Sequence, residues 1–253
     1  MPSPFFFQNI LTKKPKFNKY SFLFDGVNEL ININGVRTSL ATTTVGTFTC
    51  WFKPLAISDV ILISFCDTDA DSFIFINPYT DSLIYCTCRN ATTNQWQVKT
   101  TNAAISNGVW VHIGLVQDGI SPVIYVNGTA VAQSFTVSTD KTTWFNNIAG
   151  LDNGRIGDRN FNSRGEELFV NGNIDEVGFW NTNLSAAQIL EVYNSGNPKN
   201  LLVHSANANL VSYFRMGDGD TFGGTNWTLY DKKGTNNGTS ANMESGDLSV
   251  VVP

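Results

Sequence analysis

Short runs of apolar residues, many of them alternating with polar ones, recur along most of the chain. Residues 46–52 alternate cleanly and stop at Pro54, and residues 60–65 form an unbroken apolar run. Alternation with a period of two is typical of a strand with one buried face, whereas a short unbroken run is typical of a fully buried strand. From Tyr20 onward such runs follow one another at short intervals. The pattern therefore predicts a chain that consists mainly of β-strands.

Turn and helix signals fit the same kind of fold. The pair Asn127-Gly128 separates two apolar runs and predicts a tight hairpin. A single helix is predicted from Ser185, a good N-cap residue, to Tyr193, with Gly196 just beyond its end. One short helix among many strands predicts an all-β protein, a two-sheet antiparallel jelly-roll sandwich with one short helix near the C-terminal part.

The first 19 residues differ from the rest of the chain. They carry apolar residues followed by basic ones, and no acidic residue occurs before Asp25. We predict residues 1–19 as an N-terminal arm and residues 20–253 as one sandwich domain. A free chain end needs a surface to pack on if it is to be ordered, and this surface is either the arm's own sandwich or a neighbouring subunit. The residues predicted to make assembly contacts are Phe5, Phe6, Phe7, Lys13, Lys14 and Lys16.

Composition narrows the classes of function. Of the 253 residues, 42% are hydrophobic and only 15% are charged, and the formal net charge is −5. This acidic balance lacks the basic surface that is typical of nucleic-acid-binding proteins. No apolar run reaches the roughly 18 residues of a membrane span, and the basic residues follow the first apolar ones, the reverse of a secretory signal peptide. We therefore expect no nucleic-acid partner, no membrane insertion and no export signal.

The cysteines are Cys50, Cys66, Cys86 and Cys88, and all lie in predicted strands or at their ends. No Cys-x-x-Cys pair occurs, and the chain has only two histidines, which argues against a zinc site. Buried free thiols are the favoured interpretation. A disulfide from Cys50 to Cys66 or Cys86 is left open.

Several short motifs, in their order along the chain, resemble the laminin G-like jelly roll of the concanavalin A-like lectin/glucanase superfamily. Residues 24–26 (FDG), 110–113 (WVHI) and 125–128 (YVNG) resemble its opening strand, its Trp-x-His strand and its hairpin. Residues 173–189 resemble its closing strand and helix, a feature that the pentraxins share, and residues 231–242 resemble a turn-rich stretch that often flanks such modules. The resemblance covers most of the chain. It implies two antiparallel sheets with binding loops at one rim or on a concave face.

Three acidic loop residues, Asp67, Asp69 and Asp71, are the candidate metal ligands. Calcium prefers several carboxylate and carbonyl oxygens, and the resemblance to pentraxins places a calcium-binding Asp at about this position. The second half of a pentraxin-type site would fall at residues 158–167, where Arg159 and its neighbours interrupt the expected ligands. Calcium is therefore the one cofactor that the sequence suggests, and a solvated acidic turn is the favoured alternative.

Three tryptophans, Trp96, Trp144 and Trp227, lie in polar, loop-like surroundings. An exposed aromatic ring presents a large apolar face on which a sugar or a partner can stack. These residues are therefore candidates for contact with a ligand or partner, and local packing is the favoured alternative for each.

No catalytic residue is predicted. Asp175 and Glu176 are adjacent in a predicted strand, so we expect them to point to opposite faces, unlike the carboxyl pair about 5 Å apart that a retaining glycosidase needs. No Glu-x-Asp sequence of the kind found in the resembled glucanases occurs. His112 has apolar neighbours, and no Gly-x-Ser-x-Gly turn is present to support a Ser-His-Asp triad. We therefore predict a protein that is not an enzyme.

Two functions from different classes follow. The first is a non-enzymatic structural and recognition module on the surface of a virus particle, a phage decoration or fibre-type protein that its arm anchors to other virion subunits. It is based on the retained Met1, the missing export signal and the surface rich in Asn and Thr. The alternative is a secreted or cell-surface calcium-dependent lectin that binds glycans. In either case we expect a homo-oligomer or a part of a larger assembly, located in the virion or at the cell exterior respectively.

Overall fold

The computed structural model of the protein describes residues 17–253. These residues form two large antiparallel sheets, a small two-stranded ribbon and two short α-helices. The prediction of an all-β, two-sheet sandwich is confirmed. Within the described range no helix has the length and the apolar character needed to cross a membrane. The boundary between arm and sandwich stays a prediction, because most of the arm lies outside the described residues.

Strands make up most of the regular structure in residues 17–253. In chain order the strands are β1 (Ser21–Asp25), β2 (Leu30–Asn32), β3 (Gly46–Pro54), β4 (Ile63–Cys66), β5 (Phe73–Pro78), β6 (Ile84–Asn90), β7 (Thr93–Thr100), β8 (Val111–Gln117), β9 (Pro122–Val126), β10 (Thr129–Ala130), β11 (Gln133–Ser138), β12 (Asn153–Ile156), β13 (Arg159–Asn160), β14 (Glu166–Glu167), β15 (Asn171–Trp180), β16 (Leu210–Phe214), β17 (Thr221–Phe222), β18 (Trp227–Leu229), β19 (Gly238–Ala241) and β20 (Leu248–Ser249). The helices are α1 (Asn34–Leu40) and α2 (Ala186–Tyr193), and short 3-10 turns lie at Phe145–Asn147, Asn194–Gly196, Leu201–Val203, Asn207–Asn209 and Ser245–Asp247.

Many neighbouring strands in the two sheets are distant in sequence. The first sheet has the order β10-β9-β8-β3-β15-β1-β20, and β16 pairs with the second half of β15. The second sheet has the order β11-β7-β6-β5-β4-β12-β2-β19-β18-β17, and β13 and β14 form the ribbon. Because β4 lies between β5 and β12 and runs antiparallel to both, the β4–β5 loop and the segment before β12 lie at the same end of the sandwich.

The main core lies between the two sheets. Alternate residues of each strand face it, as in β3, where Phe48, Cys50 and Phe52 are buried. Phe48 also contacts Phe65 of the second sheet and Phe179 of the first, with ring centroids 5.4 Å away in both cases. Such tilted and edge-to-face aromatic contacts stabilise the packing of one sheet on the other.

All four cysteines are buried and free, which confirms the favoured interpretation and leaves no disulfide from Cys50 to Cys66 or Cys86. Burial raises the pKa of the Cys50 and Cys66 thiols to about 12. They therefore stay neutral at physiological pH and contribute as small apolar groups.

The predicted C-terminal helix is confirmed as α2. Ser185 accepts a hydrogen bond from the backbone N–H of Gln188, whose side chain in turn accepts from the N–H of Ser185, so the two residues form a capping box. The helix ends at Tyr193, and the next residue, Asn194, has a left-handed conformation (φ 48°). Helix α1, in contrast, was not predicted. Its only buried apolar side chains are Val36 and Leu40, one turn apart, which is too short a pattern for detection.

Different segments cover the outer faces of the two sheets. Helix α2 and the turns after it pack on the outside of the first sheet, where Ile189 and Val192 contact Trp180 and its apolar neighbours. The ribbon segment covers one part of the second sheet, where Phe161 packs on Phe73. The remaining outer face of the second sheet, on β6, β7 and β11, carries half-buried and exposed side chains.

Candidate functional site

The β4–β5 loop carries the three predicted calcium ligands. Asp67 Oδ1 accepts hydrogen bonds from the backbone N–H groups of Asp69 (2.9 Å) and Ala70 (3.1 Å). The other oxygen of Asp67 lies so close to the backbone at Gly150 that a Cβ there would be only 1.9 Å away. Asp69 itself is exposed. Asp67 therefore shapes its own loop and fixes a close contact with the neighbouring segment.

The third candidate ligand, Asp71, has other partners. It forms an ion pair with Arg89, with 3.1 Å between Oδ2 and Nη2. Its Oδ1 accepts a hydrogen bond of 2.6 Å from the amide of Asn162. The carboxylate of Asp71 therefore ties the loop to strand β6 and to the segment after β13.

Asp158, from the region of the expected second half of the site, is fully buried. Neither of its carboxyl oxygens has a hydrogen-bond partner. Burial raises its pKa to about 7, and the nearby Arg155 opposes this effect. The carboxyl group of Asp158 is therefore enclosed in the protein as the structure places it.

These residues do not fit a calcium centre as the structure places them. Calcium takes roughly six to eight oxygen ligands, whereas the carboxylates of Asp67 and Asp71 accept from protein N–H groups and a guanidinium. Within residues 17–253, no three His, Cys, Asp or Glu side chains converge in a way that could hold a metal ion. Calcium binding by Asp67, Asp69 and Asp71 stays a prediction without support from this geometry.

The predicted exposure of the three tryptophans is corrected by the structure. Trp96 and Trp144 have no exposed surface, and Trp227 is 5% exposed. The indole N–H of Trp96 donates to the carbonyl of Thr143 (3.0 Å), and the ring of Trp144 lies 5.0 Å from that of Phe48 in the core. A buried ring offers no surface for stacking, so local packing accounts for Trp96 and Trp144. The alternation of Trp96 with Val98 in β7 was the signal that marked an inward position.

The arm lies almost wholly outside the described residues, including Phe5, Phe6, Phe7, Lys13, Lys14 and Lys16, whose assembly role stays a prediction. Its last residues, Phe17, Asn18 and Lys19, are described and are held on the sandwich. Asn18 donates to Asp175 Oδ2 (2.6 Å), and the backbone N–H of Lys19 donates to Asp218 (2.9 Å). The Arg215 guanidinium donates to the carbonyl of Phe17 (2.6 Å) and lies 3.8 Å from the centre of its ring. We call the described residues Phe17–Lys19 the arm root.

Asp175, which contacts the arm root, and its neighbour Glu176, which pairs with Arg215, lie on one side of strand β15, so the prediction of opposite faces is wrong. The pairing of β15 with β3 shifts register between Asp175 and Gly178, and Glu176 has a φ of +48°. This irregularity is a β-bulge. Both flanking residues, Ile174 and Val177, face the core between the sheets, so both carboxyl groups lie on the outer side of the strand. A bulge has no signature in the alternation of the sequence.

Burial dominates the chemistry of this pair. It raises the pKa of Glu176 to about 7, while the Arg215 guanidinium opposes it, and it raises the pKa of Asp175 well above the usual value, with the charge of Glu176 adding to the effect. Tyr213 donates its hydroxyl to Glu176 Oε2. Because Asp175 and Glu176 are at most 3% exposed, they have no surface through which to reach a substrate. Their contacts serve the arm root and the sheet.

The uncovered part of the second sheet carries a cluster of polar and aromatic side chains, which we call the polar face. Its members are Tyr79, Tyr85, Gln97, Lys99 and Thr136, all exposed or half-buried. Their positions follow from strand alternation, because the residues between them in β6 and β7 face the core. Sequence reasoning missed this surface, although the polar positions at period two in residues 84–100 were its signal.

The aromatic half of the polar face is an arrangement of three side chains. Tyr85 and Lys99 lie directly opposite each other on β6 and β7, and the Lys99 amine is 3.1 Å from the Tyr85 hydroxyl. This hydrogen bond raises the pKa of Lys99. The ring of Tyr79, which is 39% exposed, lies 5.4 Å from that of Tyr85. The Tyr85 hydroxyl donates to Asp81 (2.9 Å), which fixes the ring in place.

The other half of the polar face is a row of hydrogen-bonding groups. The amide of Gln97 donates to the hydroxyl of Thr87 (3.1 Å), and the hydroxyl of Thr136 donates to the carbonyl oxygen of Gln97 (2.6 Å). These bonds tie the Gln97 side chain to the neighbouring strands β6 and β11. The polar face therefore offers two aromatic rings, one amine and fixed amide and hydroxyl groups side by side, a set that suits a polar ring-shaped ligand.

Comparison with known proteins places the chain among lectin-like sandwiches. Residues 25–190 match a laminin G family model whose description is the concanavalin A-like lectin/glucanases superfamily. No curated protein sequence matches the chain.

Three solved structures illustrate the likeness. The CBM40 module of the Ruminococcus gnavus IT-sialidase, bound to α2,3 sialyllactose, is 15% identical with a TM-score of 0.56, over 68% of this chain and 97% of that one. The NanB sialidase from Streptococcus pneumoniae is 20% identical with a TM-score of 0.60, over 86% of this chain but only 34% of that one. A heptameric SAP-like pentraxin from Limulus polyphemus is 16% identical with a TM-score of 0.50, over 71% and 84% of the two chains. At these identities the likeness shows the fold alone.

Proposed function

The chain belongs to the concanavalin A-like lectin/glucanases superfamily, and from this premise we propose that it is a non-enzymatic carbohydrate-recognition module that binds glycans on its polar face. One observation carries the proposal. The exposed ring of Tyr79 and the half-buried ring of Tyr85 lie on the same face as the Lys99 amine and the fixed Gln97 amide, on a part of the second sheet that no other segment of residues 17–253 covers. Apolar sugar faces pack on aromatic rings, while amide, hydroxyl and amine groups bind sugar hydroxyl and carboxylate groups.

Relatives of this fold support the proposal by analogy. The R. gnavus module, of which 97% matches this chain, is bound to a sialylated sugar. A sialic acid carries a carboxylate, and Lys99 supplies a cation on the polar face. The absence of an enzyme activity is part of the proposal: the polar face holds no carboxyl pair, and Asp175 and Glu176 are buried.

The test is a glycan array with the intact protein, printed with neutral oligosaccharides and sialyllactose, followed by titration of each glycan that binds. In the variant Y85A/K99A we expect about a tenfold or greater loss of affinity, because a ring contact and a charge-assisted hydrogen bond disappear together. The matched control is Y230A/K233A, which removes an exposed Tyr and a Lys elsewhere on the surface. Equal affinity in Y85A/K99A and wild type would refute binding on the polar face.

The same experiment also tests whether glycan binding requires calcium. Because the geometry at Asp67, Asp69 and Asp71 does not fit a calcium centre, we expect glycan affinity to be the same with and without EDTA. Binding that disappears with EDTA and returns with added calcium would support the calcium-dependent lectin instead, with these residues as its ligands.

We also propose, more specifically, that the protein is part of the surface of a virus particle. The observation that favours an anchoring arm is the arm root, where three consecutive residues are held on the sandwich by bonds to Asp175, Arg215 and Asp218. These bonds give the preceding segment a fixed point of departure toward other subunits. Mass spectrometry of purified particles checks this proposal, and absence of the chain from every particle would rule it out.

A further inference from the structure

A cleft of about 500 Å³ lies at the far end of the second sheet, away from the polar face. It is bounded by the turn between β17 and β18 and by the turn that follows β19. Its volume is within the range of small-molecule sites, roughly 300 to 1,000 Å³. It lies wholly outside residues 25–190, the part that matches the family model. We call it the C-terminal cleft, and the side chains that line it include Phe222, Thr225, Asn226, Asn242, Glu244 and Ser245.

The walls of the C-terminal cleft are fixed by hydrogen bonds. The N–H of Gly223 donates to the carbonyl of Asn226 (2.9 Å) and closes the first turn. Asn242, at the second turn, donates its amide to the carbonyl of Asn28 (2.8 Å). The indole N–H of Trp227 donates to the carbonyl of Glu244 (2.8 Å) and joins the two turns directly. A cleft whose walls are already in place loses little freedom when a ligand enters.

Trp227, a predicted ligand contact, lies one layer below this surface. Its buried ring packs against Phe222, with 5.3 Å between the ring centroids, and against Phe22 at 5.0 Å. Phe222 is half-buried and lines the cleft. Trp227 is thus the support, and Phe222 supplies the apolar surface that a ligand can contact.

The chemistry of the lining distinguishes among ligand classes. The lining presents the hydroxyls of Thr225 and Ser245, amide oxygens and the Glu244 carboxylate, which also accepts from the backbone N–H of Asp247, and no Lys, Arg or His is among the lining residues. The amide nitrogen of Asn242 donates to Asn28, and the Asn226 amide satisfies its neighbours when its nitrogen, rather than its oxygen, faces the carbonyls of Thr225 and Ser240. A lining of hydrogen-bond acceptors that includes a carboxylate and no cation disfavours phosphates and acidic sugars, which are negatively charged. It suits a ligand whose hydroxyl groups donate several hydrogen bonds.

We propose that the C-terminal cleft is a second carbohydrate site, separate from the polar face, that takes a neutral sugar residue. The sugar ring packs on Phe222, and its hydroxyl groups donate to the oxygens of Asn226, Asn242 and Glu244. The two sites differ in charge: the polar face presents Lys99, whereas the C-terminal cleft presents Glu244. The proposal extends glycan recognition to a part of the chain that the family model does not cover.

The test uses the intact protein and the same glycan array, which separates neutral from sialylated oligosaccharides. The variant T225A/N242G removes a hydroxyl and an amide from the lining, and glycine keeps the positive φ of Asn242 (61°). We expect about a tenfold loss of affinity for a neutral oligosaccharide, with sialyllactose binding unchanged. The matched control is T92A/N194G, since Asn194 is also exposed and has a positive φ of 48°. Unfolding curves confirm that each variant is folded.

A second measurement needs no variant. In NMR spectra of the wild-type protein, a neutral oligosaccharide should shift the backbone signals of Gly223, Gly224 and Gly246, which lie in or beside the two turns. If T225A/N242G weakens neutral-sugar binding and Y85A/K99A does not, the result supports the cleft, even if the polar face proves inactive. Binding that depends only on Y85A/K99A, or the absence of neutral-sugar binding, overturns the cleft and leaves the proposal for the polar face to its own test.

Discussion

Asp175 and Glu176 are two adjacent acidic residues buried together beneath the arm root. A neighbouring side chain contacts each carboxyl group: Arg215 pairs with Glu176 (3.4 Å), and Asn18 donates to Asp175. Burial nevertheless raises the pKa of Glu176 to about 7. The unfolded chain ionises such a group near pH 4.5, so between pH 4.5 and 7 the folded state binds more protons than the unfolded state. The contribution of Glu176 to stability is therefore full below pH 4.5 and is lost as the pH rises through 7.

This linkage predicts the effect of Glu176→Gln. Wild-type unfolding free energy should fall between pH 4.5 and 7.5, with on the order of 3 kcal/mol of that fall due to Glu176. Asp158 and Glu29, whose pKa values burial raises to about 7 and 8, add to the same slope. E176Q should show a smaller fall, measured by urea unfolding across this range, and the control S106A, which changes an exposed serine and removes no titratable group, should keep the wild-type slope. An unchanged slope in E176Q would contradict the raised pKa.

At the scale of elements, helix α2 closes the outer layer of the first sheet through a capped N-terminus and two buried side chains. It also covers the hairpin at Asn127-Gly128, which the sequence predicted and the β9–β10 pairing confirms. Gly128 has a φ of +80°, and a Cβ there would lie 2.9 Å from Tyr193 of α2. The glycine therefore serves both the turn and the close approach of the helix.

The capping box gives a prediction for this element. Ser185→Ala removes the side-chain acceptor of the Gln188 N–H and should lower the free energy of unfolding by about 1 kcal/mol. The measurement is chemical denaturation followed by circular dichroism. The control S106A changes an exposed serine outside any helix and should leave stability within about 0.5 kcal/mol of wild type. A neutral S185A would mean that packing alone holds α2.

At the scale of the whole molecule, the order of strands decides which surfaces a ligand or partner can reach. Within residues 17–253, α2 and the turns after it cover part of the outer face of the first sheet and the ribbon covers part of the second, and these residues leave the polar face and the C-terminal cleft open. The arm root joins the outer side of β15 to the chain segment that precedes the sandwich. The polar face, the C-terminal cleft and the arm root therefore occupy different parts of the molecule.

Truncation tests the role of the arm root. A chain that begins at residue 17 keeps the bonds of Phe17, Asn18 and Lys19, whereas one that begins at residue 20 lacks the bonds that Asn18 makes to Asp175 and Phe17 makes to Arg215. We expect the shorter chain to unfold with about 1 to 3 kcal/mol less free energy than the longer one. If the arm is the anchor, both should fail to join the assembly of the full chain in size-exclusion chromatography. Equal stability of the two truncated chains would show that the arm root is not held.

The sequence by itself determined the fold class, because strand alternation, the Asn127-Gly128 turn and the Ser185 cap are local signals that each segment carries within a few residues. It also indicated that the cysteines are buried thiols. Only the tertiary structure decided which polar residues are surface and which are interior. Trp96 and Trp144 are core residues because their strands pair in a register that turns them inward, and Asp175 and Glu176 share a face because a bulge adds one residue to β15. The polar face joins Thr136 of β11 to Gln97 of β7, 39 residues earlier in the chain, and such proximity depends on strand order, which no local pattern encodes.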